Sequence, residues 1–265
     1  MKNQSNNFVF EGQNVSWQKI GNGKPLIILH GWGSSSAVML PLAKSLESTH
    51  ECYLIDFPGF GASPEPKEAW AVGDFAEMVR AFINQVIPGK KTDLLVHSYG
   101  GRVALKLLST TSASTTIKKI LITGGAGLKP KRKPSFYFKK YTAKTLKLPF
   151  LILPGSLRDK GLNYLRQTTI WKSLGSSDYQ KLSGVMRETF VKSVSEYFDD
   201  VLPSIDHDIL LLWGRDDYST PLEQAKRLEK GLKNSALVVI DDADHYAFLD
   251  QPHKFTAIAK AFFEG

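Results

Sequence analysis

The apolar positions of the chain fall into two periodicities. Residues 8–10 and 15–20 alternate apolar and polar side chains around Glu11-Gly12-Gln13-Asn14. That pattern predicts an antiparallel hairpin with one face in water. From Leu26 the character changes, and residues 26–29 are apolar without interruption, as in a strand buried on both faces. Similar runs recur at residues 52–55, 94–96, 120–123, 209–213 and 237–240. Between them, residues 37–46, 72–86, 102–108, 222–232 and 255–263 carry helical spacing. Strands alternating with helices predict an α/β fold, with a mostly parallel central sheet flanked by helices.

The alternation fails between residues 124 and 203. This stretch has no clear run for a buried strand, is rich in aromatics and lysines, and reads as several short helices inserted between two core strands. The expected organisation is therefore a core of residues 1–123 and 204–265 interrupted by a helical cap of residues 124–203. Charge supports a separate unit. The chain carries a net +8, yet residues 127–203 hold fifteen basic and six acidic residues, a net of +9, which leaves the remainder near −1. The bland reading of this excess is a solvated basic face. The sharper one is attraction of anionic substrates, or a transient approach to anionic lipid.

Composition narrows the class further. With 265 residues and 42% hydrophobic content, the chain can bury a sizeable core. Its single cysteine, Cys52, excludes an internal disulfide and a cysteine-based metal site, and its apolar neighbours predict a buried thiol. The first seven residues lack the apolar segment of a signal peptide, and no apolar run approaches the ~18 residues that span a bilayer. The expectation is a cytoplasmic protein without stable membrane insertion. No nucleic-acid module is recognisable.

The chemistry centres on Leu94-Leu95-Val96-His97-Ser98-Tyr99-Gly100-Gly101. An apolar strand ends in a serine, two glycines follow, and residues 102–108 begin a helix. Strand, sharp turn and helix is the setting of a nucleophile elbow, in which the turn lifts the hydroxyl clear of the sheet and the helix N-terminus favours an oxyanion. A serine hydroxyl also needs a base to take its proton and a third group to orient that base. His245 lies just past the apolar run 237–240, at a strand end like Ser98, where ligands gather in open α/β sheets. His97 is set aside, because the elbow should point neighbouring side chains apart. His50, His207 and His253 fall in polar loop or helix-start settings. Residues 209–217 end in Gly214-Arg215-Asp216-Asp217 and supply two candidate acids, which physics alone does not separate. The order serine, acid, histidine suits this kind of fold. Acyl transfer also needs two N–H donors for the oxyanion, each worth about 3–4 kcal/mol. The backbone of Tyr99 offers one and the loop His30-Gly31-Trp32-Gly33 the other, best placed at Trp32.

These pieces, together with Asp56-Phe57-Pro58-Gly59-Phe60-Gly61-Ala62-Ser63, Trp213-Gly214-Arg215-Asp216-Asp217 and Asp244-His245, resemble the α/β-hydrolase superfamily over essentially the whole chain. The resemblance implies a helical cap, and it picks Asp217 as the acid, three residues after Gly214 and four before Pro221. The cap segment, with Gly175-Ser176-Ser177-Asp178-Tyr179, is similar to one found in uncharacterised hydrolases of Gram-positive bacteria. Val96 stands where the family usually has the first glycine of its elbow, a bulkier but strand-compatible residue. Serine at 98 argues against dehalogenases and epoxide hydrolases, which use aspartate there. His97, where carbon–carbon bond hydrolases often have asparagine, favours esters.

The expected activity is a serine esterase for small-to-medium carboxylic esters, with Ser98, His245 and Asp217 catalytic and Trp32 and Tyr99 forming the oxyanion hole. It needs no metal or organic cofactor. The substrate is a small molecule, and the basic segment suits an anionic one. His30, Gly31, Phe136, Tyr137, Trp171, Phe190 and Tyr246 are the expected substrate-binding residues. The alternatives are a carbon–carbon bond hydrolase on the same residues and a slow-turnover ligand receptor.

Overall fold

Period-two alternation divides each central strand between two cores. Ile27, Leu29, Leu94, Val96, Ile120, Ile122 and Leu211 face one side of the sheet, whereas Leu26, Ile28, Leu95, Leu121, Leu210 and Leu212 face the other. All are buried, which is why these strands read as unbroken apolar runs. The computed structural model describes residues 5–110, 116–131, 134–168, 182 and 184–265.

Eight strands form one sheet: β1 (Ser5–Phe10), β2 (Gln13–Ile20), β3 (Lys24–Leu29), β4 (His50–Ile55), β5 (Thr92–His97), β6 (Ile117–Thr123), β7 (Asp208–Gly214) and β8 (Ser235–Ile240). Their order is β1-β2-β4-β3-β5-β6-β7-β8. β1 and β2 form the expected antiparallel hairpin, turning at Glu11 and Gly12 with both φ angles positive, as a tight hairpin turn requires. β2 runs antiparallel to β4, and every later pairing is parallel. One difference from the pattern concerns β8. Its apolar run suggests burial on both faces, yet Leu237, Val238 and Val239 are half-buried, because β8 pairs only with β7 and forms the sheet edge.

The helices α1 (Ser36–Leu46) and, near the C-terminus, α9 (Pro252–Glu264) cover one face. The other is covered by α2 (Val72–Val86), α3 (Tyr99–Leu108) and α7 (Leu222–Gly231). Cys52 is buried under α1, and burial pushes its thiol up to about 12. His50 and His207, read as polar loop positions, are buried instead, His50 against the Phe263 ring.

The chain divides into two compact units, Met1–Lys129 with Glu188–Gly265, and Pro130–Arg187. The first holds the whole sheet. The second contains α4 (Pro134–Leu151) and α5 (Gly155–Gln167), and no strand among its described residues. Helix α6 (Gly184–Ser195) starts in the second unit and ends in the first, and α8 (Ala247–Asp250) is a single turn of the first.

Phe82 of α2 is fully buried and packs edge-on against Phe8, Trp17 and Tyr53. Phe82→Ala is therefore expected to lower the urea-unfolding free energy by about 3–5 kcal/mol. The turnover of the molecules that remain folded should be unchanged.

Candidate active site

The site grows from the point where β5 stops. Val96 is in register with Leu29 of β3 and Ile122 of β6, and His97 with Thr123, so three parallel strands end together. Ser98 follows as the N-cap of α3 with φ +51° and ψ −109°, a conformation that strains any residue with a Cβ. Its N–H donates to Thr123 O at 3.0 Å, and its carbonyl accepts from the N–H groups of Gly101 (3.0 Å) and Ala126 (2.9 Å). These bonds hold the turn from both sides. Gly100 is required by close approach, since a Cβ there would lie 2.8 Å from the carbonyl oxygen of Leu29. The hydroxyl-bearing Ser98 is half-buried at the edge of this turn.

β7 and β8 deliver the other two groups. Of the two aspartates after Gly214, Asp216 is exposed and Asp217 is buried. Asp217 Oδ2 lies 2.9 Å from His245 Nδ1. The same carboxylate accepts from Thr220 Oγ1 (2.8 Å) and from the N–H groups of Thr220 (2.8 Å) and Ser219 (2.9 Å). Burial alone would raise the Asp217 carboxyl. The His245 hydrogen bond and charge, with the two Thr220 donors, outweigh it and hold the group below the usual carboxylate range. The acid is therefore ionised. With the carboxylate on Nδ1, the Nε2 lone pair of His245 is left to take a proton.

The structure gives His97 a role that the sequence did not show. The ring lies against His245, with centroids 4.6 Å apart, and against Tyr246 at 4.7 Å. Its Nε2 donates to the carbonyl of His245 at 3.0 Å, so the residue before Ser98 braces the loop that carries His245. Its Nδ1 is buried without a hydrogen-bond partner among the described residues. Burial, with the His245 charge second, holds His97 down at about 3, so the ring stays neutral.

The reading of His30 is corrected. It is fully buried, its Nε2 accepting from Phe57 N–H at 3.0 Å and its Nδ1 donating to Gly31 O at 2.7 Å. With both nitrogens engaged it ties two loops together and offers nothing to a ligand. Asp56 completes this brace, taking Ser36 N–H at 2.6 Å and Ala62 N–H at 3.0 Å. Gly31 does stand at the turn, where a Cβ would come 3.0 Å from that of Ser98.

Trp32 and Tyr99 are neighbours, with rings 5.2 Å apart and Phe60 and Phe190 packed on the Trp32 ring at 4.9 and 5.2 Å. The Tyr99 hydroxyl pairs with Ser193 of α6 at 2.9 Å. Among the described residues neither the Trp32 nor the Tyr99 backbone N–H has an acceptor. Of the expected substrate-binding residues, Phe190 thus reaches the Trp32 ring and Tyr246 lies beside His97 and His245. Tyr137 is exposed on α4, and Trp171 and the Phe136 side chain lie outside the described residues.

Comparison with known proteins agrees with this architecture. A family model described as the alpha/beta hydrolase fold matches residues 24–252. The AB hydrolase superfamily protein YisY of Bacillus subtilis is 26% identical over 92% of this chain and 93% of its own. The pimeloyl-[acyl-carrier protein] methyl ester esterase of Aliivibrio fischeri (strain MJ11) is 25% identical over 93% of this chain and 96% of its own. The solved esterase EaEST of Exiguobacterium antarcticum superimposes with a TM-score of 0.73, at 23% identity, over 96% of this chain and 97% of that one.

The neutral His97 carries a pH signature. The unfolded chain protonates this ring near its ordinary value of 6.5 and the folded chain only near 3, so the unfolded state binds more protons between them. Stability should be independent of this group above pH ~6.5 and fall as the pH drops towards 3. His30 and His50, also held down by burial, add the same sign. In urea titrations across this range, His97→Gln should therefore reduce the proton uptake on unfolding by up to one proton relative to wild type.

Proposed function

The chain belongs to the α/β-hydrolase fold family, and on that premise we propose that it is a serine esterase for small-to-medium carboxylic esters. The observation that carries this reading is the Asp217–His245 pair at 2.9 Å, at the same end of the sheet as Ser98 in its strained turn. Ser98 Oγ attacks the ester carbonyl while His245 Nε2 takes its proton. Asp217 holds the Nδ1–H tautomer and stabilises the imidazolium. The oxyanion sits on the Tyr99 and Trp32 N–H groups, at the N-terminus of α3. His245 then protonates the leaving alcohol, leaving Ser98 acylated. Water attacks the acyl-enzyme, gives its proton to His245, and the acid departs as Ser98 recovers its hydrogen. The ester activity named for relatives such as that of Aliivibrio fischeri supports an ester over a carbon–carbon substrate.

The test is a series of p-nitrophenyl esters from acetate to long acyl chains. Ser98→Ala should fall to background and lose labelling by a fluorophosphonate. Asp217→Asn should keep its fold yet turn over roughly 10⁴-fold more slowly, because the wrong tautomer of His245 faces Ser98. Wild-type turnover in Ser98→Ala would overturn the mechanism.

A further inference from the structure

The second unit exposes side chains that a water-facing surface seldom carries together. On α4, Phe138 is 75% exposed, and Tyr141, Leu148 and Leu151 are more than half exposed. Steps of three and seven residues align them on one helical face that continues into Ile152, 85% exposed in the turn before α5. Leu157 on α5 extends the same apolar character at 56% exposure. Single exposed apolar residues need no explanation, but a contiguous set marks an interaction surface.

Charge identifies the occupant. Residues 134–167 contain seven basic residues and one acid, Asp159, and α4 contains no acid at all. Lys144 is exposed and Lys147 half-buried, interleaved with Leu148 and Leu151 rather than confined to a separate face. Long basic side chains placed so can extend their ammonium groups past an apolar layer to meet phosphates. A helix with aromatic and aliphatic residues on one side, lysines beside them and no acids suits the headgroup–acyl boundary of an anionic bilayer. A second copy of the chain fits poorly, because the basic faces would repel. No helix among the described residues is long and apolar enough to cross a membrane, so the contact is a surface one.

We propose that the α4–α5 hairpin docks on anionic lipid bilayers, with Leu148, Leu151 and Ile152 entering the interface and Lys144 meeting the lipid phosphates. The docking does not depend on the catalytic assignment, and it fails or holds whether or not esters are hydrolysed.

The test is co-sedimentation of the full chain with vesicles of equal parts phosphatidylcholine and phosphatidylglycerol, against pure phosphatidylcholine, at low and high salt. Wild type should bind the mixed vesicles at low salt, bind the zwitterionic ones far more weakly, and be released by salt. Each exposed lysine removed should weaken partitioning about fivefold, so Lys144→Glu should reduce it at least fivefold. Leu151→Asp with Ile152→Asp should abolish sedimentation while the thermal melt and the turnover of any water-soluble ester stay at wild-type values. Absence of wild-type binding to the mixed vesicles would overturn the proposal, as would equal binding by the aspartate variant. Concentration-dependent self-association without vesicles, lost in Ile152→Asp, would overturn it in favour of a second copy. Retention of an acidic soluble protein with no vesicle binding would do so in favour of a protein partner.

Discussion

At Ser98, φ of +51° costs a non-glycine residue on the order of 1–3 kcal/mol, and the surrounding structure has to over-determine it. It does so with backbone alone. Thr123 takes the Ser98 N–H, Gly101 and Ala126 give theirs to its carbonyl, and missing side chains at Gly31 and Gly100 let β3 and α3 close around the turn. Each partner is fixed in turn by the sheet, since the parallel pairing of β3, β5 and β6 sets where these backbone groups end. The position of one hydroxyl therefore rests on the register of a sheet buried on both faces.

The loop carrying His245 has no such ladder and is held by side chains. Asp217 grips the ring from one side, itself satisfied by three donors from Ser219 and Thr220. The Thr220 hydroxyl shares its one hydrogen with the carbonyl of Gly124, and the Thr220 carbonyl accepts from Trp213 Nε1, so the acid turn is anchored to the ends of both β6 and β7. His97 grips the loop backbone from the other side. A neutral imidazole suits this place: a second cation 4.6 Å from His245 would oppose the charge that the proposed general-base role puts there.

Much of this was legible in the sequence, for a physical reason. Strands buried on both faces carry few polar residues, so their runs and the loops at their ends stand out. Composition could not separate Asp216 from Asp217. The separation follows from the Ser219-Thr220-Pro221 stretch, whose N–H and O–H groups close on the carboxylate two and three residues back. The bracing role of His97 was not legible, because neighbours on an extended chain point apart. They do, but the loop after β8 comes over the sheet and meets the face that His97 occupies. His30 carried the look of a ligand-facing residue, and only its two buried partners reveal a brace. β8 misled because an apolar run says nothing of whether a strand has a neighbour on its far side.

Cys52 lies fully buried under α1, with a thiol pushed up to about 12. A thiolate is the reactive species for alkylation and oxidation, so the only cysteine of the chain is chemically silent in the folded state. A single cysteine introduced on the exposed faces of α4 or α5 would then be the sole nucleophilic sulfur available. The native sequence is in effect already a cysteine-free background for attaching one fluorophore or spin label, with no residue of the sheet needing to be changed.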